Sequence, residues 1–338
     1  MIIDFSTQHL PTPKTEFEKQ VLSYLTTWFD DSATVKVQTS GSTGTPKVFD
    51  VEKKRMRHSA KKTNDILGLK NGDSAMLCLP VDYISGKMMV VRAIERNLKL
   101  VVKTPSINPL IDLNEKITFC AMSPLQVENA LDKIHLIKII IIGGAAVSET
   151  LKNKIRKQLN SQIEPTRLYE TYGMSETLSH IALKEIYPTQ VKYFSVLDDI
   201  EISIDERGCL QIFAPKLNPE LIITNDLVEV KNRKSFKFLG RIDHVINSAG
   251  LKIYPEQLES LVKQEIDNEL VFLGIADEVL GQKLVLLIEG EENESITKRL
   301  DHISYPTKNH QHKEIIFIKN FPRIPNGKVN RKELLHLL

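Results

Sequence analysis

The sequence predicts an α/β protein. A large N-terminal domain carries a mostly parallel layered sheet plus a β-rich subdomain, and a small, mobile α+β domain follows at the C-terminus. Three observations predict this. Helix-like and strand-like segments alternate up to about residue 160, which argues for α/β layers around a largely parallel sheet. From about residue 191 the helical spacing disappears and short strands follow. After Gly240-Arg241-Ile242-Asp243 helices and strands mix again, which places a boundary near Asp243 and divides the chain into residues 1–242 and 243–338.

In chain order, Phe17, Val21, Leu22, Leu25, Trp28 and Phe29 recur at helical spacing, so an amphipathic helix covers a core there, with Trp28 as a packing residue. Residues 35–38 form a short strand that leads into a Ser/Thr/Gly-rich loop. Strands over 75–79, 98–102, 117–121 and 137–142 alternate with helices over 56–67, 87–95, 124–133 and 149–159. The apolar run at 139–142 reads as a buried strand. Short strands at 200–204, 209–213, 221–224, 227–230 and 236–239 make the β-rich part. A helix over 255–265 and strands over 270–275, 283–289 and 314–318 make the last unit, with a solvated helix and loop from Glu291 to Lys313.

A chain of 338 residues has room for two domains. Its 41% hydrophobic and 26% charged content is that of an ordinary soluble globular protein. A formal net charge of +2 gives no reason to expect nucleic acid or a membrane surface as partner. No apolar stretch reaches the roughly 18 residues of a spanning helix. The N-terminus shows no basic region followed by a long apolar one, so no secretory signal is expected. Cys78, Cys120 and Cys209 are far apart and match no metal or disulfide spacing, which fits a reduced, cytoplasmic protein.

Five segments carry chemistry. The run Thr39-Ser40-Gly41-Ser42-Thr43-Gly44-Thr45-Pro46-Lys47 packs glycines and hydroxyls into a loop that ends in a lysine. Glycines let backbone N–H groups crowd around an anion, hydroxyls add donors, and the lysine adds positive charge: this is phosphate-binding chemistry. It is not a Walker A loop, because Pro46 replaces the second glycine and Val48 the Ser/Thr. In Tyr172-Gly173-Met174-Ser175-Glu176-Thr177, a glycine between an aromatic ring and a hydroxyl–carboxylate pair makes a tight turn that presents both groups, and Glu176 is suited to Mg²⁺, a hard cation that takes oxygen ligands. Thr224-Asn225-Asp226-Leu227 reads as a turn between two strands, and alone its aspartate is structural. The stretch from Gly240 through Arg241 and Asp243 to Ser248-Ala249-Gly250-Leu251-Lys252 suits a hinge followed by a small-residue loop. Pro325-Asn326-Gly327-Lys328 holds a lysine out on a Pro/Gly-shaped loop.

Taken together and in this order, the five segments resemble the adenylate-forming superfamily of acyl- and aryl-CoA synthetases, adenylation domains and luciferases, over nearly the whole chain from Thr39 onward. The resemblance implies an AMP-binding domain over 1–242, a mobile C-terminal domain over 243–338, and ATP, Mg²⁺ and CoA as cofactors. It implies that residues 39–47 cradle the β- and γ-phosphates and that Gly143-Gly144-Ala145 lies at the adenine and acyl pocket. Tyr172 would stack on adenine, Ser175 would contact the α-phosphate and Glu176 would ligate Mg²⁺. Asp226 would accept from the ribose hydroxyls with Arg241 assisting. Lys328 would bridge carboxylate and α-phosphate, Asp243 would be the hinge, and the loop 248–252, with Gly250 and Lys252, would line the thiol site.

Within the superfamily, residues 79–93, 172–183 and 246–259 resemble a short form of the o-succinylbenzoate–CoA ligases of menaquinone biosynthesis. That implies a small carboxylic acid, ATP and CoA as partners, with Arg92 or Lys87 either pairing with a distal substrate carboxylate or serving as a surface helix charge. A homo-oligomer stays open, as do a ligase for another acid or a carrier-protein thiol and a non-catalytic nucleotide- or acyl-binding relic. Three features depart from the family pattern. Only 38 residues precede Thr39, where full-length members carry a much longer segment. Tyr83 stands where many relatives have histidine. Asn225 replaces a common glycine, acceptable if it takes the left-handed conformation that Asn tolerates.

Overall fold

A strand with apolar side chains at both parities must be covered on both faces, and the run Ile-Lys-Ile-Ile-Ile-Ile at residues 137–142 is such a strand. The computed structural model, which describes residues 1–7, 10–38, 48–160, 166–323 and 329–338, meets that demand. Its first half runs β1 (Ile2–Asp4), α1 (Glu16–Phe29), β2 (Thr34–Gln38), β3 (Val48–Glu52), α2 (Lys53–Ile66), β4 (Ser74–Leu77), α3 (Ile84–Glu95), β5 (Lys99–Val102), β6 (Ile117–Met122), α4 (Pro124–Asn129), β7 (Ile137–Ile142), α5 (Glu149–Leu159) and β8 (Arg167–Gly173). Strands β5, β4, β6, β7 and β8 pair in parallel in that order, with β1 antiparallel on the outer edge. Ala75, Leu77, Phe119, Ala121, Ile139 and Ile141 pack on one face against α1, α2 and α3. Met76, Cys120, Met122, Ile140 and Ile142 pack on the other against α4 and α5. Each fully buried large side chain of this kind stabilises the fold by roughly 1.5–3 kcal/mol relative to its exposed state.

Local signals place the helices. Thr15 caps α1 in a reciprocal box: its hydroxyl accepts from Glu18 N (3.2 Å) while the Glu18 carboxylate accepts from Thr15 N (3.1 Å). The buried stripe is Phe17, Val21, Tyr24, Leu25 and Trp28; Phe29, at the end of the helix, is exposed instead. Ser148 caps α5, and Leu151, Ile155 and Leu159 form its buried face.

The second half adds β9 (His180–Tyr187), β10 (Phe194–Val196), β11 (Glu201–Ile204), β12 (Cys209–Ala214), β13 (Asn218–Asn232) and β14 (Ser235–Arg241). These continue the same sheet, antiparallel from β8 onward, in the order β8-β9-β10-β14-β13-β12-β11. The parallel part and the β-rich part are thus joined edge to edge in one sheet, of 12 strands among the described residues. One expectation is corrected. Residues 224–227 are not a turn between two strands but lie inside the single strand β13, at a register shift against β12 between the pairs Gln211↔Ile223 and Cys209↔Leu227. Two residue steps on β12 oppose four on β13, so the excess backbone bulges there without breaking the strand. Asn225 is accordingly not left-handed; the described non-glycine residues with positive φ are Asn97, Leu178 and Ala249.

The last strand of the large sheet ends at Arg241, and a second, five-stranded sheet begins with β15 (Ile246–Ser248) and β16 (Leu251–Ile253). After α6 (Pro255–Val262) come the hairpin β17 (Leu270–Asp277) and β18 (Gly281–Glu289), α7 (Glu294–Leu300), β19 (Glu314–Ile318), parallel to β18, and α8 (Arg331–His336). Its own core holds Ile246, Ile253, Leu258, Val262, Leu270, Phe272, Leu284 and Leu286.

Helix α3 approaches the Leu79–Pro80 backbone so closely that a Cβ on Gly86 would sit 2.2 Å from the Pro80 carbonyl oxygen. Neither side of that contact is a flexible side chain. Gly86→Ala is expected to destabilise the protein by about 2–3 kcal/mol, read as a lower urea midpoint; an unchanged midpoint would contradict the close approach.

Candidate active site

In open parallel sheets, ligands gather beyond the carboxyl ends of the strands, where the connecting loops leave backbone groups free. Gly143-Gly144-Ala145 follows β7 at that edge, and Tyr172-Gly173 ends the adjacent parallel strand β8. Gly143 donates to Met122 O at 3.1 Å, and the Thr171 hydroxyl donates to Ile142 O at 3.0 Å. A Cβ on Gly143 would meet that hydroxyl at 2.6 Å. Gly144 is left-handed (φ +88°), and Gly144 and Ala145 are exposed.

Beyond β8 the chain doubles back. A Cβ on Gly173 would lie 2.4 Å from the Ser179 carbonyl oxygen and 2.5 Å from His180 Cα, so only glycine fits. The turn is tied by buried Thr177: its hydroxyl accepts from Met174 N (3.1 Å) and lies 3.0 Å from Met174 O and 2.7 Å from Ser179 O. Ser175 and Glu176 ride on this short 3₁₀ turn, Ser175 half-buried and Glu176 exposed. No group of three or more His, Cys, Asp or Glu side chains that could hold a metal ion exists among the described residues.

The Tyr172 ring sits among Phe194, Phe236 and Phe238, edge-on to Phe236 at 5.0 Å between centroids. Its hydroxyl donates to Asp226 Oδ2 at 2.5 Å; burial first, and then the Asp226 charge, raises its pKa. Asp226 faces Arg241 in register across β13 and β14. The bulge that carries it is fastened by Thr224, whose hydroxyl donates to Leu210 O (2.7 Å) and accepts from Asp226 N (3.1 Å), and by Arg207, which donates to Thr224 O and to Asn225 Oδ1. Arg241 reaches Asp226 Oδ1 at 3.3 Å and grips Asp243 with two bonds of 3.0 Å. Burial alone would raise the Asp243 pKa, but the guanidinium holds it below the ordinary carboxylate range. Tyr172, from the end of β8, joins Asp226, Arg241 and Asp243 in one hydrogen-bonded chain.

Gly250 and Lys252 lie elsewhere. Ala249 (φ +50°) and Gly250 (φ +78°) form the two-residue turn of the β15–β16 hairpin, the left-handed pair that such a tight hairpin demands. Lys252 is exposed on β16, and no hydrogen bond joins either residue to the Tyr172–Arg241 group among the described residues. Between the sheets, His244 Nδ1 lies 2.5 Å from Glu256 Oε1, and Gln257 Nε2 donates to Leu239 O, fastening the linker to α6. Thr39, Ser40, Gly41, Ser42, Thr43, Gly44, Lys47 and Lys328 lie outside the described residues.

The two substrate-pairing candidates separate clearly. Lys87 Nζ is taken up by the carbonyls of Val81 (2.5 Å) and Asp82 (3.2 Å) and lines a surface cavity of about 370 Å³ beside α1. Arg92 is no surface charge: it is 2% exposed. Its guanidinium donates to Ser179 Oγ (2.6 Å) and approaches Met89 Sδ (3.6 Å), its Nε has no partner, and it meets no carboxylate among the described residues. Burial lowers its pKa to about 10, which leaves it charged at neutral pH. Neighbouring His180 is buried, hydrogen-bonded to Thr63 (3.2 Å), and held neutral with its pKa pushed down to about 3 by burial and by Arg92. A second buried charge, Glu170 on β8, escaped the sequence analysis. The signal was its place at the same parity as buried Leu168.

A family model for AMP-binding enzymes matches residues 14–207. The chain is 25% identical to a 2-succinylbenzoate–CoA ligase of Lactococcus lactis, an alignment that covers 90% of this chain and 71% of that protein. Its structure is similar to that of an acyl-CoA synthetase (AMP-forming)/AMP-acid ligase II-like protein from Dyadobacter fermentans, at 32% identity and TM-score 0.65, covering 100% and 99% of the two chains. It shares the fold of o-succinylbenzoate coenzyme A synthetase from Bacillus subtilis in complex with ATP and magnesium ion, at 20% identity and TM-score 0.74, over 88% of this chain and 69% of that one. The chain belongs to the AMP-binding enzyme family and has the fold of its AMP-forming ligases.

Proposed function

We propose that the protein is an AMP-forming acid–thiol ligase that converts o-succinylbenzoate, ATP and CoA to o-succinylbenzoyl-CoA, AMP and diphosphate. The observation that carries the choice of acid is Arg92. Among the described residues no anion stands opposite it, an arrangement that is costly for a buried guanidinium, and Ser179 ties it to the back of the turn that presents Ser175 and Glu176. A substrate with a second carboxylate, remote from the one being activated, supplies the missing charge. A monocarboxylic acid leaves Arg92 unmatched. The similarity to 2-succinylbenzoate–CoA ligases supports the same acid.

The chemistry has a simple reason. A carboxylate is a poor acyl donor because oxide would have to leave; joined to the α-phosphate, it leaves as AMP. Two anions must first meet, so the protein supplies cations. Lys47 and Lys328 do so in this reading, and a cation at such a point contributes on the order of 10²–10³ in rate. Glu176 offers one exposed carboxylate on a rigid turn, which suits Mg²⁺: that ion commonly takes one or two protein carboxylates and completes its shell with phosphate and water. Bound there, Mg²⁺ supplies charge neutralisation at the phosphates. Tyr172 buttresses Asp226, and Asp226 with Arg241 presents acceptor and donor to the ribose. Asp243 lies where the chain passes from the large sheet to the small one, and rotation there would exchange Lys328 for the hairpin that carries Gly250 and Lys252.

Three substitutions test these roles. Arg92→Lys keeps the charge but loses the planar fork, and should raise KM for o-succinylbenzoate about tenfold with KM for ATP unchanged in ATP–pyrophosphate exchange. An unaltered KM for the acid removes Arg92 from the pocket. Lys328→Ala should abolish exchange yet spare thioester formation from supplied o-succinylbenzoyl adenylate; equal loss of both half-reactions contradicts a two-state mechanism. Glu176→Gln should raise the Mg²⁺ concentration for half-maximal turnover several-fold, and an identical Mg²⁺ titration would take Glu176 out of the metal site.

A further inference from the structure

Glu170 on β8 is 5% exposed on the face that also buries Leu168, where an ionised carboxylate needs compensation. Two kinds of contact supply it. Lys184 of β9 lies 2.8 Å from Oε2, and Lys152 of α5 lies 3.9 Å away, itself paired with Glu149 at 2.7 Å. Oε1 reaches in a different direction and accepts the backbone N–H of Val147 at 3.1 Å. That bond is the far anchor of the loop after β7. The near anchor is Gly143, held by Met122 O and packed against Thr171. Between the anchors only Gly144, Ala145 and Ala146 are exposed.

We propose that Glu170 is a positioning residue for nucleotide binding: its carboxylate fixes Val147, and thereby the conformation in which residues 144–146 meet the nucleotide. The inference rests on the reading of that loop as nucleotide-contacting. The charge and the reach of the side chain then do separate jobs. Charge balances Lys184 and Lys152 and stabilises the fold; reach holds Val147 and sets affinity. Glu170→Gln keeps the reach and an acceptor oxygen but loses the charge. Glu170→Asp keeps the charge but falls one methylene short of Val147.

The test pairs calorimetric Kd values for ATP with Mg²⁺, measured without acid or CoA, with thermal melting of the same samples. Glu170→Asp should weaken ATP about tenfold while melting near the wild type, and Glu170→Gln should bind within about twofold while melting lower. A merely structural role would make affinity follow melting temperature. Wild-type ATP affinity in Glu170→Asp, or a loss in Glu170→Gln as large as that in Glu170→Asp, overturns the proposal. A wild-type protein that binds no ATP overturns it too, together with the nucleotide reading of the loop, and so is distinguishable from failure at Glu170 alone.

Discussion

The architecture turns on β8. This strand pairs in parallel with β7 and antiparallel with β9, so the sheet changes sense along its length. Along one face of β8 the surroundings pass from apolar at Leu168 to ionic at Glu170 to aromatic at Tyr172. Its end at Gly173 lies beside the loop after β7, and the tight return through Ser175 and Glu176 is possible because Gly173 and Ser179 touch backbone to backbone. A side chain on Gly143 would meet the Thr171 hydroxyl of β8, and one on Gly173 the returning backbone at Ser179 and His180.

Charge is placed with matching economy. Arg241 is shared between Asp226 and Asp243, so its cation is satisfied before any ligand arrives. Such a pre-paired group is already oriented and would not have to reorganise to meet the ribose proposed for it. Arg92 is the opposite case, a buried cation whose partners among the described residues are a hydroxyl and a thioether. A low-dielectric site strengthens any charge–charge contact made there, so in the proposed reaction Arg92 would favour an acid with a second carboxylate.

Much of this was legible locally. Ile137–Ile142 and Glu149–Leu159 fall where apolar periodicity put them, because buried strands and capped amphipathic helices are specified by near neighbours. Strand β9 and the fusion of the two halves into one sheet were not legible, since pairing across β8 and β9 depends on partners that no local pattern names. The bulge at Thr224–Asp226 was mistaken for a turn for a related reason: hydroxyl- and carboxylate-rich residues serve both, and only the register against β12 decides. Arg92 and Glu170 show a further limit of composition. Arg92 interrupts the apolar run Met88–Ala93 and Glu170 sits at a buried parity, so each was marked in the sequence, but neither mark says what the charge faces.

The most direct measurement is mass-spectrometric detection of thioester after mixing the protein with ATP, Mg²⁺ and CoA and, in parallel, o-succinylbenzoate, benzoate, acetate or a long-chain acid. A CoA thioester and AMP are expected with o-succinylbenzoate, and little of either with the monocarboxylic acids. A thioester formed as readily from benzoate or acetate, or no product and no pyrophosphate exchange with any acid, would contradict the proposed reaction.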